Sequence, residues 1–170
     1  MVYYLSLFIH NIKHINLIVG GKLMVEKILL ATDNSKQAEK AGEEAISMAS
    51  LGGTIIVLYV IDADYLNALP QQDLRDQLSE NLKREGKEAV EKFKRELEEE
   101  QCAGTCPNVN LVTMIKEGKP ADVIVKTAEE EGVDQIVLGK SGKHGIEKFL
   151  LGSTADRVVR EAKIPVDVVS

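Results

Sequence analysis

Residues 135–154 read QIVLGKSGKHGIEKFLLGST. Gln135–Leu138 (QIVL) predicts a short buried strand, the fourth of the chain, which ends at Gly139. A glycine-marked stretch of 14 residues, Gly139–Gly152, follows it, and Ser153–Ala162 predicts a short helix. The same strand–loop–helix unit recurs on both sides. Upstream, Pro120 is suited to the first position of a helix that runs to about Glu131 and stops at Gly132. Before it, Asn110–Lys116 predicts a strand and Glu117-Gly118-Lys119 a turn. Thr54–Ile61 (TIIVLYVI) predicts another strand, followed by a long helix from about Pro70 to Glu100. In that helix Leu74, Leu78, Leu82, Ala89, Val90, Phe93 and Leu97 keep helical spacing, and Gly86 is an internal weak point. Val25–Thr32 (VEKILLAT) predicts the first strand. Ser35–Leu51 predicts the first helix, with a stripe of Ala38, Ala41, Ala45 and Ala49 and a stop at Gly52-Gly53. Downstream, Pro165 leads into a last strand at Val166–Val169. The order β-α-β-α-β-α-β-α-β predicts an α/β fold: a doubly wound, mainly parallel five-stranded sheet with helices on both faces. Ligands of such sheets bind beyond the carboxyl ends of the strands, so the loops after the first and fourth strands carry the functional interest.

The chain has 170 residues, 44% hydrophobic and 28% charged, with 21 Lys+Arg against 27 Asp+Glu and a net charge of −6. This is ordinary globular composition for one domain. The acidic balance argues against nucleic-acid and anionic-membrane partners, which call for a basic face. Residues 1–24 differ from the rest. They hold two Lys and no acid, leaving 19 bases against 27 acids, a net of −8, for residues 25–170. His10, Asn11, Lys13 and His14 interrupt the apolar stretches, which fits neither a signal peptide nor a membrane span. Met24 directly precedes the first strand, so residues 1–24 are expected to be an appended extension or the product of an upstream start, with an extra strand or an oligomer arm as the other options. Residues 25–170 form the expected domain. The only cysteines, Cys102 and Cys106, have no second pair or nearby His for zinc. They are expected to be thiols in a loop of a reduced, cytoplasmic protein.

The chemistry of Gly139–Thr154 points to anions. Glycines let backbone N–H groups approach a phosphate closely, and a helix N-terminus adds free donors and partial positive charge. Ser153 and Thr154 add hydroxyls, although Ser153 is equally suited to capping the helix. Two familiar motifs do not fit. The P-loop GxxxxGK[ST] fails because the glycine upstream of Gly139-Lys140-Ser141 is Gly132, two positions too far, with a strand between. A dinucleotide fingerprint requires GxGxxG after the first strand, whereas GxxGxxG follows the fourth.

The pattern Gly139-x2-Gly142-x9-Gly152-Ser153 resembles the ATP-binding branch of the universal stress protein family. The resemblance extends to Ala31-Thr32-Asp33, to Leu58-Tyr59-Val60-Ile61-Asp62, and to the terminal Gly-Ser-Thr…Ile-Pro-Val-Asp-Val-Val, and spans about residues 25–170. It implies strand order 3-2-1-4-5, which brings Asp33 and Gly139 to one switch point. It also implies that Asp33 and the backbone near Ala31 and Val60 hold adenine, with Thr32 beside them. Gly139 lies near the ribose, and Gly142, Gly152, Ser153 and Thr154 cradle the phosphates, next to Ser141. Lys140 and Lys143 are candidate point charges for phosphate. Lys148 and His144 are expected to be exposed, and Asp33 is also suited to capping the first helix. The implied ligand is ATP, AMP or ADP, with Mg²⁺, where present, held mainly by phosphate oxygens and water. The resemblance further implies a homodimer through the last strand, where Asp167 departs from the usual apolar residue.

Efficient phosphoryl transfer needs a placed metal, charge clamps and a residue that orients the nucleophile. Glu147 is the only carboxylate in the loop, so binding with at most slow hydrolysis is expected and no catalytic residue is assigned. Thr32-Asp33-Asn34-Ser35 lacks the glycines of an ATP-pyrophosphatase loop, and Lys116-Glu117 stands where a receiver domain carries its phosphoacceptor Asp. Three functions stay open at this point: a regulatory nucleotide-binding stress protein with an unknown protein partner, a weak ATPase or phosphotransferase, and a partner-binding module with a vestigial site.

Overall fold

The computed structural model describes residues 17–19, 22–106, 108–142 and 151–170. The elements run β1 (Leu17–Val19), β2 (Lys22–Thr32), α1 (Lys36–Met48), β3 (Ala49–Asp62), α2 (Ala63–Asn67), α3 (Gln72–Ala103), β4 (Asn110–Gly118), α4 (Pro120–Glu131), β5 (Gln135–Gly139), α5 (Ser153–Glu161) and β6 (Val166–Val169). Five strands form the expected parallel sheet in the order β4-β3-β2-β5-β6. In the numbering of the expected strands this is 3-2-1-4-5. β1 pairs antiparallel with the start of β2, Leu17 opposite Met24, so the extra-strand option holds for residues 17–19.

The central strands are apolar on both faces because helices cover both. Ile28 and Leu30 of β2, Val57 and Tyr59 of β3, and Val137 of β5 pack against Ala41 and Ala45 of α1 and Phe93 and Leu97 of α3. Leu29, Ile56, Leu58, Ile136 and Leu138 point the other way, against Ile124 of α4 and Val158 of α5. The small-residue stripe of α1 thus lets that helix lie close to the sheet. The amide of Lys27 donates to Asp134 Oδ2 at 2.8 Å and that of Asp134 to the Lys27 carbonyl at 2.8 Å, fixing β5 beside β2.

The structure departs from the sequence expectation at several places; Glu117 and Gly118, expected in a turn, end β4 opposite Ile61 and Asp62, and β2 starts at Lys22, ahead of Val25. The first helix ends at Met48, not Leu51: Ala49 leaves it in extended backbone (φ −66°, ψ 133°) and begins β3. Gly52-Gly53 therefore lies in an irregular stretch of β3, between the pairs Val25–Ala49 and Lys27–Thr54, and does not stop the helix. The short α2 was not anticipated; Asp62 caps it by accepting from the Asp64 and Tyr65 amides. Finally, α3 starts at Gln72 and its first buried residue is Gly86, so its N-terminal 14 residues carry no fully buried side chain. Cys102 falls in the last turn of α3, not in a loop, while Cys106 lies beyond the Gly104 cap.

Candidate functional site

β2 and β5 are neighbours, with Ala31 opposite Leu138. Their chain continuations leave on different sides, β2 into α1 and β5 into the glycine loop. This is the topological switch point, the place beyond the carboxyl ends of the strands where ligands of such sheets bind. Ala31 and Val60, from adjacent strands, share the face packed by α4 and α5, and both are half-buried. Thr32 lies opposite Tyr59 and points to the other face, toward Ala38 of α1 and Phe93 of α3.

Asp33 occupies the turn between β2 and α1. The cap of α1 is Ser35, not Asp33: Ser35 Oγ accepts from the Ala38 amide at 3.2 Å. Asp33 Oδ1 accepts from the Ser35 amide at 3.1 Å, and Thr32 Oγ1 accepts from the Asn34 amide at 3.3 Å. Asn34 takes φ +65°, a backbone region that Asn tolerates better than most residues. The other carboxylate oxygen, Oδ2, lies so close to Gly142 that a methyl group there would overlap it. The two loops singled out from the sequence are therefore in direct contact.

The described parts of the glycine loop close on themselves. The Lys140 amide donates to the Val169 carbonyl at 2.7 Å, and the Gly152 amide donates to the Lys140 carbonyl at 2.8 Å. A side chain at Gly139 would meet the Gln37 backbone at 2.9 Å, and one at Gly152 would lie 3.3 Å from Ser141 Cα. Gly139, Ser141, Gly142, Gly152, Ser153 and Thr154 are thus brought together with Asp33. Lys143, His144, Glu147 and Lys148 lie outside the described residues.

Helix α5 opens with Gly152 at its cap position and has no side-chain cap; Ser153 is its first helical residue and does not cap it. Its first-turn amides retain the donor capacity and partial positive charge that suit an anion. Sequence reasoning missed Tyr59 as a neighbour of the site. Burial and the nearby Asp33 charge push its phenol above the ordinary range. The available signal was an aromatic near the carboxyl end of a buried strand. Among the described residues no group of three or more His, Cys, Asp or Glu side chains is placed to hold a metal ion. The arrangement is equipped to bind an anion through backbone groups and hydroxyls.

Residues 24–170 match the model of the universal stress protein family. Universal stress protein MJ0531 of Methanocaldococcus jannaschii is 37% identical over 91% of this chain and 87% of its own length. Universal stress protein MJ0577 of the same organism is 32% identical over 86% of this chain and 96% of its own. The solved structure of MJ0577 superposes with a TM-score of 0.73 at 34% identity, covering 86% of this chain and 96% of that one. UspA from Lactobacillus plantarum superposes at 0.69 with 29% identity, covering 86% and 99%. With the family match over residues 24–170, the shared fold and these relatives together, the chain belongs to the universal stress protein family.

Proposed function

We propose that this protein binds an adenine nucleotide (ATP, ADP or AMP) in the crevice between the carboxyl ends of β2 and β5, and acts as a regulatory protein whose shape or assembly responds to that ligand. The observation that carries the proposal is the meeting of Gly139, Gly142 and the uncapped N-terminus of α5 at the switch point beside Asp33. Adenine fits beside Ala31 and Val60, where the two strand ends present a half-buried apolar face. Phosphates fit over the α5 amides and the Ser153 and Thr154 hydroxyls, with Lys140 as a nearby cation. Mg²⁺ in this arrangement arrives with the nucleotide, coordinated by phosphate oxygens and water. The nucleotide acts as a bound regulator, not as a rapidly turned-over substrate.

The same proposal places the protein in the cytoplasm as a homodimer paired through β6, the edge strand next to β5. Pairing there would cover an open strand edge. Among the described residues no helix is long and apolar enough to cross a membrane. Isothermal titration of the purified chain with ATP, ADP and AMP tests the proposal, with saturable heat expected for at least one nucleotide. No heat and no thermal shift with any of them overturns it.

A further inference from the structure

Cys102 and Cys106 play no part in the proposed nucleotide site, yet both thiols line one groove. It lies at the C-terminal end of α3, has a volume of about 460 Å³, and is completed by Glu98, Gln101 and Asn108. That is room for a molecule far larger than water. The chain turns back at this point. Gly104 takes left-handed backbone (φ 71°, ψ 20°), its amide donates to the Gln101 carbonyl at 3.1 Å, and the Thr105 amide donates to the Glu100 carbonyl at 3.0 Å. This closure folds the residues after Gly104 back over the last turn of α3. Beyond it, Gln101 Nε2 donates to the Val109 carbonyl at 3.3 Å, and the Gly52 amide donates to the Asn108 carbonyl at 2.8 Å. Hydrogen bonds thus fix the backbone on both sides of the two cysteines. The thiols themselves are unequal. Cys102 is exposed, whereas Cys106 is half-buried and packs against the core under α3. Burial and the Glu100 carboxylate push the Cys106 thiol up. A reagent from solvent therefore meets Cys102 first, with Cys106 placed to follow from within.

We infer that Cys102 and Cys106 form a reversible oxidation site, in which a hydroperoxide oxidises Cys102 and Cys106 then closes an intramolecular disulfide. In the first step the Cys102 thiolate attacks a peroxide oxygen and the O–O bond breaks. Cys102 becomes a sulfenic acid, and with hydrogen peroxide the leaving hydroxide takes up a proton to become water. In the second step the Cys106 thiolate attacks Cys102 Sγ, the S–S bond forms, the S–O bond breaks, and hydroxide again leaves as water. In sum the two thiols give up two electrons and two protons, and hydrogen peroxide is reduced to two waters. Residues four apart at a helix end are near the separation that a disulfide bridges, and the exposed Cys102 side chain has room to reorient. The groove opens beside the start of β4, at the amino-terminal end of the sheet, so the site does not depend on nucleotide binding.

The test treats the purified full-length chain, Cys102→Ser and Cys106→Ser with hydrogen peroxide at neutral pH, followed by alkylation, intact-mass measurement and non-reducing electrophoresis. The wild type is expected to lose two hydrogen atoms, to take up no alkylating agent, to run as a single chain, and to regain both thiols with dithiothreitol. Cys106→Ser should stop at a sulfenic acid that dimedone traps, then pass to sulfinic acid in excess peroxide. Cys102→Ser should be oxidised roughly tenfold more slowly than Cys106→Ser. Two thiols that stay alkylatable overturn the inference, as does a chain-to-chain disulfide as the main product. It is equally overturned if Cys102 of the wild type passes to sulfinic acid as readily as in Cys106→Ser, or if the two single variants are oxidised at equal rates.

Discussion

Gly86 lies in the middle of α3, where alanine is the better helix former by about 1 kcal/mol. On propensity alone, Gly86→Ala should stabilise the protein. The packing opposes this. A Cβ at position 86 would lie 2.7 Å from Tyr59 Cδ1 and 3.2 Å from Cε1. The ring is buried between β3 and α3 and cannot swing aside into solvent. The added methyl must therefore push the helix off the sheet, and overpacking of this kind costs about 1–3 kcal/mol. The balance is a net loss of up to about 2 kcal/mol, or a fall of roughly 2–4 °C in Tm for each kcal/mol in a chain of this size. Urea and thermal denaturation of Gly86→Ala measure it. A parallel pair in a Tyr59→Val background, itself destabilised by about 2–4 kcal/mol, isolates the contact. There the methyl has room and Gly86→Ala should stabilise by about 1 kcal/mol. If Gly86→Ala raises the stability of the wild-type chain by the full propensity gain, the close approach of helix and ring does not govern this position.

Three further outcomes follow from the structure. The Tyr59 phenol is held above the ordinary range, so the stability it contributes is complete below the unfolded-state pKa near 10 and is lost as pH rises through the higher folded value. Tyr59→Phe should flatten that alkaline decline in a pH series of urea melts; an unchanged slope refutes the assignment. Cys106 is partly buried and its thiol is pushed up by that burial and by Glu100, whereas Cys102 is exposed. Titration with a thiol reagent at pH 8 should therefore be biphasic, with Cys102→Ser removing the fast phase and Cys106→Ser the slow one. Ser35→Ala removes the α1 cap and should cost about 1 kcal/mol in chemical denaturation, while Ser153→Ala, which removes no cap, should be close to neutral in the ligand-free chain.

The elements legible in the sequence were those whose signals are local. Pro120 and Gly132 bracket α4 as expected, with Gly132 in left-handed backbone as its cap. Gln135–Gly139 is the buried strand its composition indicates, and β6 has the boundaries read from it. The parallel order follows from the alternation of strands and helices together with the family resemblance. The boundary at Met48 was hidden because Ala49 is a good helix former, and its capture by β3 depends on pairing with Val25, 24 positions earlier. Gly86 read as a helix weakness because its reason, the Tyr59 ring, comes from another element. The site divides in the same way. The glycine spacing announced a loop that could admit an anion, but the contact between Asp33 and Gly142 joins residues more than a hundred positions apart. No local pattern encodes it. Ser153 had the chemistry of a cap, yet the cap position falls on Gly152 and Ser153 is the first helical residue, and only the backbone path decides which role it takes.

The long helix α3 also has a mechanical consequence. Its first 14 residues rise about 21 Å before the first buried position at Gly86. That position bears on Tyr59, whose phenol feels the Asp33 charge. Leu78 and Leu82 rest on the core from partly buried positions, so this segment is held along one face only. Tilting the helix there by only about 5° would carry its tip at Gln72 through roughly 2 Å, given that length. A fluorophore or spin label on exposed Asp73 would report such a tilt directly.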